Sequence, residues 1–566
     1  MASDTGHWDS YIAQFNPDDP RITALESSAE QFGNDVVLGF DHRSRLTCLL
    51  FGEVQSGKTA HAFSVAAKAA DLDEGFTTFV YLSTDNVALQ EQTFSRSVNQ
   101  LGSTFEIVGE SDELRFASLP SGKPAMLVLK KNKRVLEKWL EILTASSRVA
   151  RGPIFVIDDE GDAATPNTKV NRAQVSEINR LVLGLSELGT SGILLQVTAT
   201  PQALFLLSRE NQLRPNYIQR FEPGTNYIGG QFFFSRLDTS HNIFIQDDLG
   251  ASLSGAVPIY AGSLPKFLAT FALISCLFRR SGRIVCNGLI HPSVSTKVHH
   301  DIALFAKRFY SWFSQESGVA EREMLLNSTV EDLKRTFESV DEIVAASLDL
   351  DDLSWLEVIE MNSTEHSSKG DNFADGFHLI IGGNTLGRGV TFPALQATYY
   401  SRSSKTPQAD TYWQHARMFG YDRDRSCLRV FMPAATFSLF SSLEESNRRL
   451  VDLIIGGQVD NLHVLLPVGV KPTRSNIVDK RLYSLLVGGS NYFPSSPDEA
   501  NWSEGDALLS KVPEGSIAEL DTSEAQRLID LASSDATWPA KQMSTMFEAG
   551  VAAGCKIKLL VGRSRA

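Results

Sequence analysis

The chain has few cysteines, no long apolar run and no excess of basic residues. Its 5 cysteines are scattered among 566 residues without C-x-x-C spacing, which argues against a disulfide framework and against a cysteine-ligated zinc site. No apolar run approaches the ~18–20 residues of a bilayer-spanning helix. The polar N-terminus also lacks the pattern of a secretory signal. We therefore expect a cytoplasmic protein without a membrane partner.

The charge balance is acidic. The chain has 53 Lys and Arg against 67 Asp and Glu, a formal net charge of −14. A protein coated in basic surface is thereby excluded, although one local basic groove could still hold a nucleic-acid strand. The length is sufficient for two or three domains.

The stretch FGEVQSGKT at residues 51–59 fits the pattern G-x-x-x-x-G-K-[ST] without a mismatch. An apolar run precedes it and an alanine-rich segment of helical spacing follows it, which is the context that a phosphate-binding loop (P-loop) needs. Its backbone amides can turn toward phosphate oxygens at a helix N-terminus. We expect Lys58 to reach the β- and γ-phosphates of ATP and Thr59 to take a Mg²⁺ position. The predicted nucleotide-binding residues are Gly52, Gln55, Ser56, Gly57, Lys58 and Thr59.

A second motif, FVIDDEGDAAT at residues 155–165, places carboxylates at the end of an apolar strand. A Mg²⁺–nucleotide site needs one carboxylate for the metal and another that polarises the attacking water. We assign Asp159 to the metal and Glu160 as general base of a DExD box. A register one residue earlier would make Asp158 the metal ligand, and an acidic loop without catalytic work is the other alternative.

Three further motifs carry hydroxyl, amide and cationic side chains. In QVTATPQA, residues 196–203, the Thr198 and Thr200 hydroxyls could bond the acidic motif and relay nucleotide state. GGNTLGRGVT (382–391) and QHARMFGYDR (414–423) follow in the second half of the chain. Arginine suits a transferring phosphoryl group because its rigid fork spreads positive charge over several oxygens. Surface arginines at a helix start are the alternative. The catalytic candidates are Arg388, Gln414, Arg417 and Arg423.

Apolar strands that alternate with amphipathic helices predict an α/β fold with parallel sheets in two lobes. The predicted strands are 46–51, 77–83, 125–130, 153–159, 192–200, 283–291, 377–383, 394–401 and 427–433. The predicted domains are an N-terminal helical cap (1–44), lobe one (45–250), lobe two (251–470) with a helical insertion (297–360) and a small C-terminal accessory domain (471–566).

The order of these motifs resembles that of superfamily-two helicases. More narrowly, VQSGKT, VLKKNKRVLEKW, IDDEGD, TATPQA, GGNTLGRGVT and QHARMFGY resemble the Z1 (Z-one) domain family, from about residue 45 to 465. The resemblance implies two RecA-like lobes with ATP between them, and a role in bacterial restriction-like antiviral defence beside MORC-type ATPases or nucleases. One departure is that Asp422 stands where an arginine is expected after Phe-Gly-Tyr. Either Arg417 or Arg423 could therefore be the arginine finger.

The same resemblance suggests where a nucleic-acid strand could bind. In superfamily-two enzymes the segment after the second strand touches the strand backbone, and a basic run near residue 130 could neutralise phosphates. A solvated polar face is the alternative for each position. The candidate contacts are Thr84, Gln92, Arg96, Lys130 and Lys131.

Together these features predict an ATP-dependent DNA translocase of a defence system, with ATP and Mg²⁺ as cofactors and DNA as the expected partner. The first alternative is an ATP-controlled switch that recruits effector proteins. The second is a Mg²⁺-dependent endonuclease, the label often given to the family. No lysine in the chain has a glutamate two positions before it, so the E-x-K element of a common metal nuclease is missing.

Overall fold

Apolar strands that alternate with helices form two fully parallel β-sheets in the computed structural model, which confirms the predicted α/β class. The chain divides into two units, Met1–Lys480 and Arg481–Ala566. The structure describes residues 6–73, 75–120, 122–169, 175–207, 210–235, 238–315, 319–361, 373–383, 391–402, 407–456, 470–471, 473, 502–512, 516–532, 544, 547–548, 550–552, 556 and 558–560.

Lobe one is built on a seven-stranded sheet. Its strands are β1 (Arg45–Phe51), β2 (Thr78–Ser83), β3 (Glu106–Val108), β4 (Ala125–Lys130), β5 (Ile154–Asp159), β6 (Gly192–Thr198) and β7 (Tyr217–Arg220). They lie in the order β3-β4-β2-β5-β6-β1-β7, and every pairing is parallel. The central strands are buried along nearly their whole length because helices cover both faces.

The helices of lobe one include two that precede the sheet. They are α1 (His7–Ile12), α2 (Ile22–Phe32), α3 (Lys58–Leu72), α4 (Val87–Leu101), α5 (Glu113–Ala117), α6 (Lys133–Ala145), α7 (Ser147–Ala150), α8 (Glu177–Ser186) and α9 (Gln202–Phe205). A π-helical turn, Gly33–Val37, continues α2. Tyr11 and Phe32 of the N-terminal segment pack in one apolar cluster with Phe63 of α3. The N-terminal segment is thus part of the lobe-one core.

Lobe two contains a six-stranded sheet. Its strands are β8 (Asn242–Phe244), β9 (Val285–His291), β10 (Leu356–Met361), β11 (Gly376–Gly382), β12 (Leu395–Tyr400) and β13 (Arg429–Met432). Their order is β10-β11-β9-β12-β13-β8, again with parallel pairings throughout. Because β8 pairs with β13, lobe two begins before residue 242, ahead of the boundary expected at residue 250.

The helices that accompany this sheet are α10 (Gly230–Phe234), α11 (Leu249–Ser254), α12 (Ser263–Arg280), α13 (Thr296–Gln315), α14 (Ala320–Leu333), α15 (Val340–Ser347), α16 (Ala409–Gln414) and α17 (Ala434–Ile455). The predicted insertion, 297–360, holds α13 to α15 and a 3-10 turn, Leu348–Asp351. Its last residues instead form the edge strand β10. No helix in the described part of the chain is long and apolar enough to cross a membrane.

Apolar side chains join the two lobes. Val54 of the P-loop and Ala199, which follows β6, pack in one cluster with Trp413, Phe419 and Phe440 of lobe two. The C-terminal half of α17 packs into a lobe-one core cluster through Leu450, Val451 and Ile454. The lobes are therefore in close contact in this structure, and the polar site described below lies beside that apolar contact.

The second unit is a small α/β element of its own. Its described helices and strands are α18 (Trp502–Leu509), α19 (Thr522–Ala532), β14 (Ile517–Glu519) and β15 (Lys558–Leu560). The two strands pair antiparallel. Lys511 forms an ion pair with Glu524 at 2.9 Å, and Lys556 one with Glu519 at 3.1 Å. The antiparallel pair was not expected from the sequence.

Candidate functional site

The P-loop, the acidic motif and the threonine motif meet at the carboxyl ends of β1, β5 and β6. β6 lies between the other two strands, with Thr198 opposite Phe51 and Val197 opposite Asp159. Loops that follow neighbouring parallel strands converge at this edge, which is where ligands of such sheets bind. The topology thus brings together three motifs that are distant in the sequence.

The P-loop reaches α3 through two residues with positive φ. Gly57 has φ 93° and Gln55 has φ 63°, and only glycine adopts this left-handed region freely. α3 begins at Lys58, directly after Gly57. Amides in the first turn of a helix lack intrahelical partners and suit an anion. Gly52 is needed for packing instead, because a Cβ there would lie 2.3 Å from the Phe221 ring.

A buried lysine holds the acidic motif from within lobe one. Lys131 Nζ donates to Asp158 Oδ1 at 2.8 Å, to the Asp159 carbonyl at 2.6 Å and to the Glu160 carbonyl at 3.2 Å. Glu160 has φ 53°, a strained conformation for a residue other than glycine. The bonds from Lys131 therefore stabilise the turn that carries Glu160. They also engage one oxygen of Asp158, which is fully buried, whereas Asp159 lines the cleft, and this favours Asp159 as the metal candidate.

Asp159 and Glu160 face the cleft as adjacent carboxylates. They line a cavity of about 440 Å³ together with Lys58 and Thr59. Burial, and then repulsion from Glu160, raises the pKa of Asp159 to about 6. A cation here would relieve that repulsion, and the oxygens of Thr59 and Asp159 are ligands that Mg²⁺ prefers. The described residues hold no cluster of three or more His, Cys, Asp or Glu suited to a metal.

Gln414, the last residue of α16 in lobe two, reaches the carboxylates of lobe one. Its Nε2 lies 2.7 Å from Thr200 Oγ1, 3.3 Å from Glu160 Oε2 and 3.5 Å from Asp162 Oδ2. Asp162 in turn accepts hydrogen bonds from Thr198 Oγ1 at 2.6 Å and from Thr200 Oγ1 at 2.8 Å. All five side chains are buried. One network thus connects the general-base candidate, the threonine motif and lobe two.

The two arginine-finger candidates differ in what they bind. Both line the cleft, but the Arg423 guanidinium donates to the carbonyls of Tyr421 at 2.7 Å and Phe419 at 3.0 Å. It lies 3.4 Å from the carbonyls of Met418 and Arg417 as well. Burial lowers the pKa of Arg423 to about 10. Arg423 therefore shapes the turn, and Arg417, which is buried and lines the cleft, is the candidate for the finger.

Two tyrosines outside the lobe-one sheet donate hydrogen bonds to backbone carbonyls of the P-loop. Tyr421 Oη donates to the Ser56 carbonyl at 3.2 Å and accepts from the Gly224 amide at 2.7 Å. Tyr227 Oη donates to the Val54 carbonyl. The two rings pack edge to face with centroids 5.6 Å apart. Because these hydroxyls donate hydrogen bonds to P-loop carbonyls, the conformation of the P-loop depends on contact with lobe two.

We expect Tyr421→Phe to weaken ATP binding. The change leaves the Ser56 carbonyl and the Gly224 amide without their partner, at a cost of about 1–2 kcal/mol. Steady-state kinetics should show a KM for ATP raised about fivefold or more, with a smaller change in kcat. Tyr260→Phe is the matched control, since no hydrogen bond to the Tyr260 hydroxyl is found among the described residues. An unchanged KM in Tyr421→Phe would contradict this role of the tyrosine.

A second carboxylate pair lies across the lobe boundary. Glu53 belongs to the P-loop, and Glu444 lies on α17 with an oxygen packed against Gly230. Burial, and then repulsion from Glu53, raises the pKa of Glu444 to about 7. Burial also raises the pKa of Glu53, although Arg220 lies 3.7 Å from that carboxylate. The packed arrangement of the lobes therefore favours a protonated Glu444.

We expect Glu444→Gln to stabilise the protein at pH 8 more than at pH 5. The pKa of Glu444 is higher in the folded than in the unfolded chain, so the folded chain binds the extra proton. The stability then falls as the pH rises from about 4.5 to about 7. Glutamine resembles the protonated form and removes this loss, about 1–3 kcal/mol. Thermal unfolding at both pH values measures this difference, with the exposed-residue variant Glu338→Gln as the control. Equal shifts at pH 5 and pH 8 would argue against it.

The candidate nucleic-acid contacts do not share one exposed groove. Lys131 is buried beneath the acidic motif, and Lys130 pairs with Glu110 at 3.4 Å with a side chain only 20% exposed. Neither lysine is therefore placed on an open surface that could neutralise strand phosphates. The other three candidates line the cleft beside the P-loop, on α4 or just before it, and α4 packs beside α1 and α3. They are Thr84, Gln92 and Arg96.

One predicted site residue lies outside the described part of the chain, and the sequence did not indicate some residues that line the cleft. Arg388 lies outside the described residues, with the rest of 384–390. No motif in the sequence indicated that the N-terminal cap lines the cleft, as it does through Phe15, Asp19 and Arg21. The only signal was the close spacing of Asp19 and Arg21, which form an ion pair at 2.6 Å.

The structure thus has two parallel α/β lobes, and a P-loop and paired carboxylates of lobe one face arginines of lobe two across their boundary, which is the two-lobed arrangement that the sequence predicted. Residues 263–458, most of lobe two with its insertion, match the family model of the Z1 domain. This match confirms the resemblance drawn from the motifs. No curated protein matches the chain significantly.

Several solved structures are similar to the chain at low identity. S. cerevisiae Dbp5 bound to RNA and ADP BeF3 has 11% identity and a TM-score of 0.38, over 78% of this chain and 93% of that one. The DUF1998 helicase MrfA bound to DNA has 11% identity and a TM-score of 0.38, over 84% and 56%. The Hef helicase domain of Pyrococcus furiosus has 11% identity and a TM-score of 0.31, over 69% and 92%. All three TM-scores lie below 0.5, so these similarities carry no argument about what this chain does.

Proposed function

We propose that this chain is a helicase-like ATPase that hydrolyses ATP at the boundary between its two lobes. The observation that carries the proposal is the set of hydrogen bonds from Gln414 of lobe two to Thr200 and Glu160 of lobe one. Because the general-base candidate and its partner belong to different lobes, hydrolysis depends on how the lobes are placed.

The residues divide the chemistry among them. The P-loop amides and Lys58 bind the triphosphate, and Thr59 and Asp159 would hold Mg²⁺, which neutralises charge on the β- and γ-phosphate oxygens when bound. Glu160 orients a water molecule and takes its proton as the water oxygen bonds to the γ-phosphorus. The bond from that phosphorus to the β–γ bridging oxygen breaks, and ADP leaves. Arg417 stabilises the charge that develops during the transfer.

The finer proposal is a DNA translocase in a bacterial restriction-like defence system, working in the cytoplasm beside a MORC-type ATPase or a nuclease. Its support is the order of the motifs and the Z1 match. In the cycle of such a translocase, ATP binding closes the two lobes and hydrolysis opens them again, so the affinity for a DNA strand would alternate between high and low.

A second candidate is a nucleotide-controlled switch that recruits effector proteins. The observation that favours it is the position of the lobe-one candidates for strand contact, which lie in the nucleotide cleft or are engaged inside the lobe. An endonuclease ranks last because the sequence has no E-x-K element. Cleavage in such a system would belong to a partner.

Steady-state ATP hydrolysis by the purified protein tests the proposal. The assay is run with no nucleic acid, with single- and double-stranded DNA and with RNA, beside Lys58→Ala and Glu160→Gln. A motor predicts a rate that DNA raises several-fold, and no activity in either variant. Slow hydrolysis at a rate that neither DNA nor RNA changes would support the nucleotide-controlled switch. A wild-type protein that hydrolyses no ATP under any condition would overturn the proposal.

A further inference from the structure

The nucleotide cleft has a wall that the chemistry above does not use. The N-terminal cap and α4 form it, and it carries two guanidinium groups, those of Arg21 and Arg96. Both line the same cavity, and the pKa of Arg96 is lowered first by burial and also by the charge of Arg21. Two cations on one wall of a phosphate-binding cleft need counter-charges.

Arg21 already has its counter-charge. Its Nε donates to Asp19 Oδ1 at 2.9 Å and its Nη2 to Asp19 Oδ2 at 2.6 Å. The guanidinium also lies 5.4 Å from the Phe15 ring centroid and 6.0 Å from that of Tyr421. Arg21 is thus fixed in a neutralised pair between the cap and lobe two.

Arg96 has none. It is half-buried and lines the cleft, yet within the described part of the chain its guanidinium has no hydrogen bond and no ion pair. Burial lowers the pKa of Arg96, and the negative charge of Asp159, on the side of the cleft that holds the metal candidate, opposes that shift. A guanidinium withdrawn from water without a partner is costly, so such a group is expected to bind an anion.

We infer that Arg96 binds a phosphate group of the nucleotide directly, as a lobe-one counterpart of Arg417. The inference rests on the proposed function, since it places a nucleoside triphosphate in this cleft. The side of Asp159 indicates the β- or γ-phosphate. Arginine suits the task because its planar fork can bind two phosphate oxygens at once.

Two other roles for Arg96 lead to different results. As a distant counter-charge for Asp159, it would affect nucleotide binding only through the metal. As a contact for a nucleic-acid strand, which the sequence suggested, it would affect DNA binding and leave nucleotide binding unchanged.

Isothermal titration calorimetry on the full-length protein separates these roles. ATP, ADP and inorganic tripolyphosphate are titrated into wild type, Arg96→Gln, Arg96→Lys and Lys58→Ala, with Mg²⁺ and with EDTA. Arg151→Gln, which changes an exposed arginine, is the matched control. We expect Arg96→Gln to weaken ATP and tripolyphosphate binding about 10- to 100-fold in both conditions. Arg96→Lys, which keeps the charge but not the fork, should show an intermediate loss.

Several outcomes would overturn the inference. One is a loss of ATP affinity that is seen with Mg²⁺ but not with EDTA. The others are a loss of DNA binding while ATP binding is intact, and wild-type ATP affinity in both Arg96 variants. Thermal unfolding checks that Arg96→Gln is folded, and if it is not, the Arg96→Lys result decides. Failure of the proposed function looks different, because wild type and Lys58→Ala would then both fail to bind ATP.

Discussion

Replacing Arg417 by alanine should lower kcat for ATP hydrolysis by about 10³-fold or more, the effect expected of an arginine finger. The side chain is 5% exposed and lines the cleft opposite the P-loop. Its charge is needed in the transition state more than in the bound state, so the KM for ATP should change by less than about tenfold. Steady-state kinetics with the purified variant provides both numbers.

Two variants of the same segment sharpen this prediction. Arg423→Ala removes the group that binds the carbonyls of Tyr421 and Phe419, so it should lower the melting temperature as well as the activity. Arg425→Ala changes an exposed arginine and should behave as wild type. If Arg417→Ala remained fully active while a well-folded Arg423→Ala lost hydrolysis, the two roles would have to be exchanged.

Replacing Lys131 by methionine should destabilise the protein by about 3–5 kcal/mol, because it leaves the carboxylate of Asp158 buried without its counter-charge. The Lys131 and Asp158 side chains are 1% and 0% exposed. The turn that carries Glu160 loses two further hydrogen bonds, so we also expect hydrolysis to be lost. Denaturant unfolding measures the first effect and steady-state kinetics the second.

The comparison variants separate buried charge from loss of a lysine in general. Lys133→Met changes a lysine that is 56% exposed and should cost well under about 1 kcal/mol. Adding Asp158→Asn to Lys131→Met removes the unpaired charge and should restore part of the stability. A Lys131→Met protein as stable as Lys133→Met would show that the ion pair has no structural role.

The central strands were predictable because helices cover both of their faces. Runs such as LTCLLF and AMLVLK are mostly apolar, and they became β1 and β4. The strands β3, β7, β8 and β10 were missed. β7, β8 and β10 are short or only partly buried, so their sequences carry little apolar signal. The place of β8 in the second sheet depends on its pairing with β13, which no local pattern encodes.

The parts of the candidate site whose functional residues are neighbours in the sequence were predictable. The P-loop spacing and the adjacent carboxylates Asp159 and Glu160 need only a strand end and a loop. Lys131 is different, because it follows β4 whereas its partner Asp158 lies on β5, and β2 separates these two strands in the sheet. Only the strand order reveals the ion pair. The contact of Tyr421 with the P-loop likewise joins residues far apart in the chain.

The central claim is that the hydrolytic site is shared between the lobes, and Gln414 tests it most directly. Single-turnover ATP hydrolysis is measured for wild type, Gln414→Ala and the exposed-residue control Gln231→Ala. Loss of the Gln414 amide releases Glu160 and Thr200 from lobe two, so we expect a hydrolysis rate lower by about tenfold or more, with ATP affinity little changed. A Gln414→Ala protein that hydrolyses ATP at the wild-type rate would show that lobe one works alone.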